Sequence, residues 1–310
     1  MTLKPPLHVT LSAVSVFLVG AALALAPARP AAAQTAPLDT AAIDRAIGKT
    51  GQSSGGVYKV TFPRSDLHVT VEGLAIKPGL ALTGWAAFKA VDAEAVTHGD
   101  LALTETEVNP VVGKLRAEQI DVTAIHNHLL GESPRVMYVH FWGRGPASRL
   151  AASLKAALAL TATPMADEPG ASANQDVPGA DQIQQTLGLK GVVKGGVLGL
   201  SKPRPEPITM MGVTLPPAMG MATSVNIQAA EPGKVASTGD FVLTGDEVNH
   251  VISALRTHGI EVTALHNHMI NGSPELYFMH FWAHDTPERV AAGLKAGLDA
   301  MGQKASGMRH

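Results

Sequence analysis

The chain repeats itself. Ile125-His126-Asn127-His128 and Val139-His140-Phe141-Trp142 return 140 residues later as Leu265-His266-Asn267-His268 and Met279-His280-Phe281-Trp282. Self-similarity at such a period means two supersecondary units of one kind, so whatever one half folds into, the other half folds into as well. From Gly99-Asp100 and Gly239-Asp240 the copies align without a gap, whereas the earlier match of Val69-Thr70-Val71-Glu72-Gly73 to Ile208-Thr209-Met210-Met211-Gly212 has a spacing of 139, which places an insertion in a loop.

Within each copy the local signals are orderly. Ala36 to about Gly48 reads as a short helix, with Asp181 to Gly188 as its counterpart, and Gly55-Gly56-Val57-Tyr58 reads as the start of a strand. Leu101 to Thr104 is a short strand, after which Thr104 and Glu107 form a capping box, as Thr244 and Glu247 do in the second copy. Val108, Val111, Val112 and Leu115 make the apolar stripe of the helix that follows. Pro146 and Pro287 open a second helix, whose Leu150, Leu154, Ala157 and Leu158 face inward. Each copy therefore ends strand-helix-strand-strand-helix, and the fold class expected is α+β: two tandem sandwich domains of ferredoxin-like character, extended by earlier strands.

At 310 residues, 45% of them hydrophobic and 16% charged, the chain is long enough for two folded domains. The expected boundaries are a signal peptide over 1–33, repeats over 34–160 and 180–303, a linker rich in Ala, Pro, Gly and Asp over 161–179, and a tail over 304–310. The signal reading rests on Lys4, the apolar run Leu11 to Ala26, and Ala31-Ala32-Ala33 as a cleavage site. It implies a periplasmic or secreted protein with no membrane span once the signal is removed. A net charge of −2 without a basic run gives no nucleic-acid footprint, so the expected partner is a small ligand or a cell-envelope component. The absence of cysteine excludes disulfides, thiol nucleophiles and thiolate metal sites.

Strand alternation assigns the faces of the hairpin. Val122, Ala124, His126 and His128 point one way, and Ile125 and Leu129 point the other; on the partner strand Val136, Tyr138, His140 and Trp142 share a face opposite Met137, Val139 and Phe141. The apolar set is expected beneath the helices. With a loop over Leu130 to Pro134, His126 stands opposite Tyr138, His128 opposite Val136 and His140 opposite Ala124, which gathers three imidazoles on the uncovered face. Such a set suits Zn, Cu, Ni or Fe, or a small polar ligand. The candidate ligands are His126, His128, His140, His266, His268 and His280, as two separate sites or as one site shared across a pseudo-twofold axis; the alternative is a structural polar network. Trp142, Trp282, Tyr138 and Trp85 flank them, the last standing where copy two has Ser224.

Glu132 and Glu107 are the candidate bases if the protein is a metal-dependent hydrolase of the envelope, although a helix-capping role already accounts for Glu107. A non-catalytic envelope-binding module is the third reading. His126-x-His128 followed by Glu132 resembles half of a cupin metal motif, but copy two has Gly272 there, and the helices do not suit a jelly roll.

The run Thr-Glu-x-Glu-Val-Asn, followed by Thr-Ala-Ile-His-Asn-His-Leu-Leu-Gly-Glu-Ser-Pro-Arg-Val-Met-Tyr-Val-His, resembles the duplicated LppY/LpqO family of exported bacterial proteins over nearly all of the mature chain. The resemblance implies export and duplication but carries no catalytic residues. Some members are lipoproteins, and this chain lacks the cysteine an anchor needs.

Overall fold

The computed structural model describes residues 1–3, 37–166 and 176–303. Repeat 1 runs α1 (Thr40–Ile47), β1 (Gln52–Ser54), β2 (Val57–Pro63), β3 (Thr70–Val71), β4 (Leu74–Ala75), β5 (Thr83–Val91), β6 (Glu94–Thr104), α2 (Glu105–Ala117), β7 (Asp121–His126), β8 (Glu132–Ser133), β9 (Val136–Gly145) and α3 (Ala147–Leu158). Repeat 2 runs α4 (Ala180–Leu187), β10 (Gly191–Lys194), β11 (Val197–Pro203), β12 (Ile208–Met210), β13 (Val213–Leu215), β14 (Ala222–Ala229), β15 (Val235–Leu243), α5 (Gly245–Thr257), β16 (Glu261–His266), β17 (Gly272–Ser273), β18 (Tyr277–Asp285) and α6 (Pro287–Ala300). The protein is α+β with two tandem similar domains. The signal segment over 1–33, the middle of the linker and the tail fall largely or wholly outside the described residues. Among the described residues no helix is long and apolar enough to cross a membrane.

Each repeat builds a six-stranded antiparallel sheet, in the orders β1-β2-β5-β6-β9-β7 and β10-β11-β14-β15-β18-β16. Because β9 lies between β6 and β7, the β6-α2-β7 crossover is a split βαβ unit. One face of each sheet carries helices. Ile43, Ile47, Leu101, Leu103, Val111, Leu115, Val139, Phe141, Leu150 and Leu154 form one core, and its twin in repeat 2 centres on Phe241, Val251, Leu255, Phe281 and Leu294. The buried pair Arg64–Glu107 ties the start of α2 to the end of β2 at 2.8 Å, and Arg204–Glu247 repeats it at 2.7 Å.

The opposite faces do not meet solvent. Val57, Ala87, Val96 and Trp142 of repeat 1 pack with Met210, Met219, Val242 and Phe278 of repeat 2, and a second mixed cluster joins Leu80, Leu82 and Tyr138 to Val197, Ala236 and Trp282. The two sheets are thus stacked face to face with helices outside, and the described residues from 37 onward form one compact unit. The expected uncovered face is covered by the other repeat.

Three local expectations are corrected. β6 begins at Glu94, well before Leu101, so Thr97, His98 and Asp100 are strand residues. Between Val122 and Ala124 the β7–β9 ladder carries a bulge, and β7 stops at His126; the connection to β9 contains β8, which pairs with β3, so His128 has no ladder partner in Val136. Leu129 packs with Val136 and Tyr138 on the inter-sheet side, and Ile125, on an edge strand, is 49% exposed where a core position was expected. Past the bulge the register nevertheless pairs Ala124 with His140 and His126 with Tyr138.

Candidate metal centre between the repeats

The sheet stacking brings the histidines of both repeats into one cluster. His126 and His266 stack on each other with ring centroids 3.6 Å apart. His140 stacks on His268 at 3.7 Å, and its twin contact, His280 with His128, is 4.0 Å. His128 lies on Tyr138 at 3.3 Å, as His268 lies on Phe278 at 3.4 Å. Each contact has its counterpart 140 residues on, which makes the relation a pseudo-twofold and the arrangement one shared cluster.

The ring orientations are fixed from the backbone. Nδ1 of His126, His140, His266 and His280 faces the carbonyls of Asn127, Gly99, Asn267 and Gly239, at 3.1, 3.1, 3.4 and 3.1 Å. A carbonyl only accepts, so each Nδ1 carries the proton and each Nε2 of a neutral ring is left with a bare lone pair. All four Nε2 atoms are shielded from solvent and have no protein partner. Gly99 is indispensable to this: a Cβ there would lie 2.3 Å from the Phe141 ring and 2.3 Å from the Trp85 carbonyl, and at Gly239 it would lie 2.0 Å from the Ser224 carbonyl.

Burial, and secondarily neighbouring imidazoles, push His126 down to about 2 and His266 to about 4, and hold His128, His140 and His268 well below the usual range. These five rings are therefore neutral, the state in which imidazole binds a metal. Potential donor atoms of His126, His266, His268 and His280 lie within 4.8 Å of one another, as do those of Asp100, His126 and His140. Nitrogens on opposite sides of an ion at ~2.1 Å are about 4 Å apart, so small ring rotations bring either set to coordination distance. Hydrogen-bonding the far nitrogen of a ligand histidine to a carbonyl is the usual outer-shell arrangement. The residues fit a transition metal.

Three members escaped the sequence reading. Asp100 lies on β6 with Oδ2 at 3.6 Å from His128 Nε2 and 3.8 Å from His140 Nε2, and burial together with Asp240 raises its carboxyl well above the usual range. Asp240 Oδ1 lies 2.8 Å from His280 Nδ1 without hydrogen-bond alignment, since that N–H is aimed at the Gly239 carbonyl. His98, where repeat 2 has Thr238, stacks over His140 at 5.6 Å and is lowered to about 4 by burial. The signal available in the sequence was the Gly-Asp pair that starts the gapless alignment in both copies.

The remaining candidates fall elsewhere. Glu107 is outside both clusters of mutually close donors: it is engaged by Arg64, by Thr104 N at 2.8 Å and by Ala162 N at 3.0 Å, in the capping box at the start of α2. Glu132 accepts from Val136 N at 3.1 Å and is raised to about 7 by burial, but it is outside both clusters of mutually close donors. Trp85 meets His98 edge-on at 5.7 Å, and Trp142 tilts against the same ring at 6.4 Å. Trp282 donates to Glu72 Oε2 at 3.3 Å in the mixed core.

These features define a duplicated α+β protein whose two sheets enclose a histidine-rich centre. The family model described as Domain of Unknown Function (DUF1259) matches residues 41–160 and again 181–300, and the chain belongs to that family, carrying its domain twice. No curated protein matches. Among solved structures, the trimeric bacterial microcompartment shell protein PduB is similar at 13% identity over 81% of this chain and 89% of its own, with a TM-score of 0.22. EtuB from Clostridium kluyveri is similar at 10% identity over 80% and 90%, with a TM-score of 0.18. At such scores the strand order itself remains the ground for describing the fold.

Proposed function

We propose that the protein binds one or more transition-metal ions, of the Zn, Cu, Ni or Fe group, at a single centre assembled from both repeats. The observation that carries this reading is the set of four imidazoles, each pinned through Nδ1 to a carbonyl and each presenting an unpartnered, buried Nε2 to the same interior. An unsatisfied buried polar atom costs roughly 1–3 kcal/mol, and a purely structural network would be expected to pair such atoms with one another. The four imidazoles whose N–H is spent on a carbonyl supply only lone pairs there, which a cation satisfies together.

His126, His266, His268 and His280 would hold the ion, with Asp100 and His140 beside it. A bound metal of this kind lowers the pKa of coordinated water and acts as a Lewis acid. Asp100, rather than Glu107 or Glu132, is the carboxylate placed to take a proton at that position. The hydrolase reading is thereby kept in a changed form, with Asp100 as its base. Export of the chain to the periplasm or outside the cell, proposed from the leader and from the LppY/LpqO resemblance, would fit binding of a scavenged or stored ion equally well.

Elemental analysis of the purified protein after loading with each of the four metals tests the reading. Stoichiometric metal that falls at least tenfold in His126→Ala plus His268→Ala is expected. A folded protein that retains none of the four metals would overturn the proposal.

A further inference from the structure

A cavity of about 170 Å³ opens against the histidine cluster, with His128, His280, Asp100 and Asp240 on its inner side. Trp85 and the segment from Pro78 to Ala81 wall it on the repeat 1 side, and Ser224, Asn226 and Thr238 wall it on the other. At about 30 Å³ per water it has room for roughly six waters, or for an organic molecule of a few non-hydrogen atoms. The pseudo-twofold fails here, and the departures share a direction. Lys59, Trp85 and His98 of repeat 1 correspond by strand register to Gly199, Ser224 and Thr238 of repeat 2. In repeat 1 the large side chains form a continuous stack, the Lys59 ammonium lying 3.9 Å above the Trp85 ring and that ring edge-on to His98. In repeat 2 the small ones leave space.

Charge follows the same asymmetry. Repeat 1 carries the Lys59 ammonium over Trp85 on the Asp100 side, whereas the equivalent position on the Asp240 side is Gly199. Oδ1 of Asp100, Oδ1 of Asp240 and Oγ1 of Thr238 are all shielded from solvent and unpartnered, and Asp100 is 5% exposed. Asp100, its carboxyl raised well above the usual range, and the Thr238 hydroxyl can each donate or accept, whereas the Asp240 carboxylate only accepts, so a donor from the occupant is wanted at Asp240. Asp240, with a side chain 25% exposed and His280 beside it at 2.8 Å, opens onto this cavity and can pair with a cation there.

We propose that this cavity is the ligand-binding side of the centre, and that its ligand is a small amine whose ammonium pairs with Asp240 on the side where repeat 1 carries Lys59. The inference deepens the metal reading in that the cavity opens on the same histidines, but the two can fail separately. Gly199 can accept a side chain, since a Cβ there meets nothing closer than Asn226 Oδ1 at 3.7 Å. The test is calorimetric titration of ethanolamine, with acetate as the anionic comparison, into the full chain with and without Zn, while elemental analysis of the same samples reports metal. Ethanolamine is expected to bind the Zn-loaded protein at least tenfold more tightly than acetate does. Gly199→Lys, which supplies the missing ammonium, and Asp240→Asn are each expected to weaken it at least tenfold, with folding checked by circular dichroism. No ethanolamine binding to a protein that holds Zn, acetate binding as tightly, or unchanged affinity in both folded variants overturns the amine site and leaves the metal centre standing.

Discussion

Replacing Arg64 with Met separates the two roles Glu107 could have. Arg64 is 1% exposed, and its guanidinium donates to Asp66 Oδ1 and Oδ2, Glu107 Oε2 and the Ala102 carbonyl, each at 2.8 Å. Met keeps most of the apolar volume and removes every donor, so a carboxylate with 12% side-chain exposure loses its counter-charge. Breaking a buried pair from one side costs about 3–5 kcal/mol, against about 0–1 kcal/mol for a surface pair. Set against the ~5–15 kcal/mol of a folded domain, that is a large fraction. Urea unfolding of the wild type, Arg64→Met, Glu107→Gln and the double variant would measure it, with a coupling energy of about 2 kcal/mol or more expected between the two sites. Metal content should not change in any variant that remains folded. A cost for Arg64→Met below about 1 kcal/mol, or loss of metal from folded Glu107→Gln, would refute the assignment of Glu107 to the scaffold.

Other outcomes follow from the same geometry. Ala at Gly99 would press a methyl against the Phe141 ring and the Trp85 carbonyl, so Gly99→Ala should lower stability by about 3 kcal/mol or more and lower the thermal midpoint accordingly. Zn at 100 times its Kd should stabilise the folded chain by about 2.7 kcal/mol, read as a rise in thermal midpoint that EDTA reverses. In the metal-free protein, folded-state pKa values of about 2 for His126 and about 4 for His98 and His266 lie below the unfolded value, so the unfolded chain binds more protons and stability falls as pH drops through about 6.5. Each of these histidines contributes a loss of about 1.4 kcal/mol between pH 7.5 and 5.5, whereas Glu132, raised to about 7, and Asp100, also raised, oppose the trend; with His128, His140 and His268 acting in the same direction as the first three, the histidines win, and urea midpoints should be lower at pH 5.5. A higher midpoint at pH 5.5 would contradict that balance.

The strand-helix-strand-strand-helix order was legible because each of its elements carries a local signal: a capping box at Thr104 and Glu107, a proline at Pro146 or Pro287, and alternation along β9. The pairing of His126 with Tyr138 was legible for the same reason, since a hairpin with one apolar face admits few registers. What covers the other face was not, because alternation reports that a face differs from its opposite and says nothing about which distant segment meets it. Asp100 and His98 were hidden because the strand signal starts at Leu101, whereas β6 runs on through Gly99, where the Phe141 ring and the Trp85 carbonyl leave no room for a Cβ. The bulge after Val122 is equally silent in sequence, and it lets Val122 pack under the helices while Ala124 and His126 turn inward.

The mutual stacking of His126 and His266 lies on the pseudo-axis itself, a place where a residue meets its own counterpart. A chain of a single repeat would have to close that face on another copy of itself, as an isologous dimer with identical halves. Joining the halves in tandem makes the pairing independent of concentration and frees each side to change alone. Tyr138 opposite Phe278, Glu132 opposite Gly272 and His98 opposite Thr238 are changes that no symmetric dimer can hold, because a symmetric dimer must make each substitution twice.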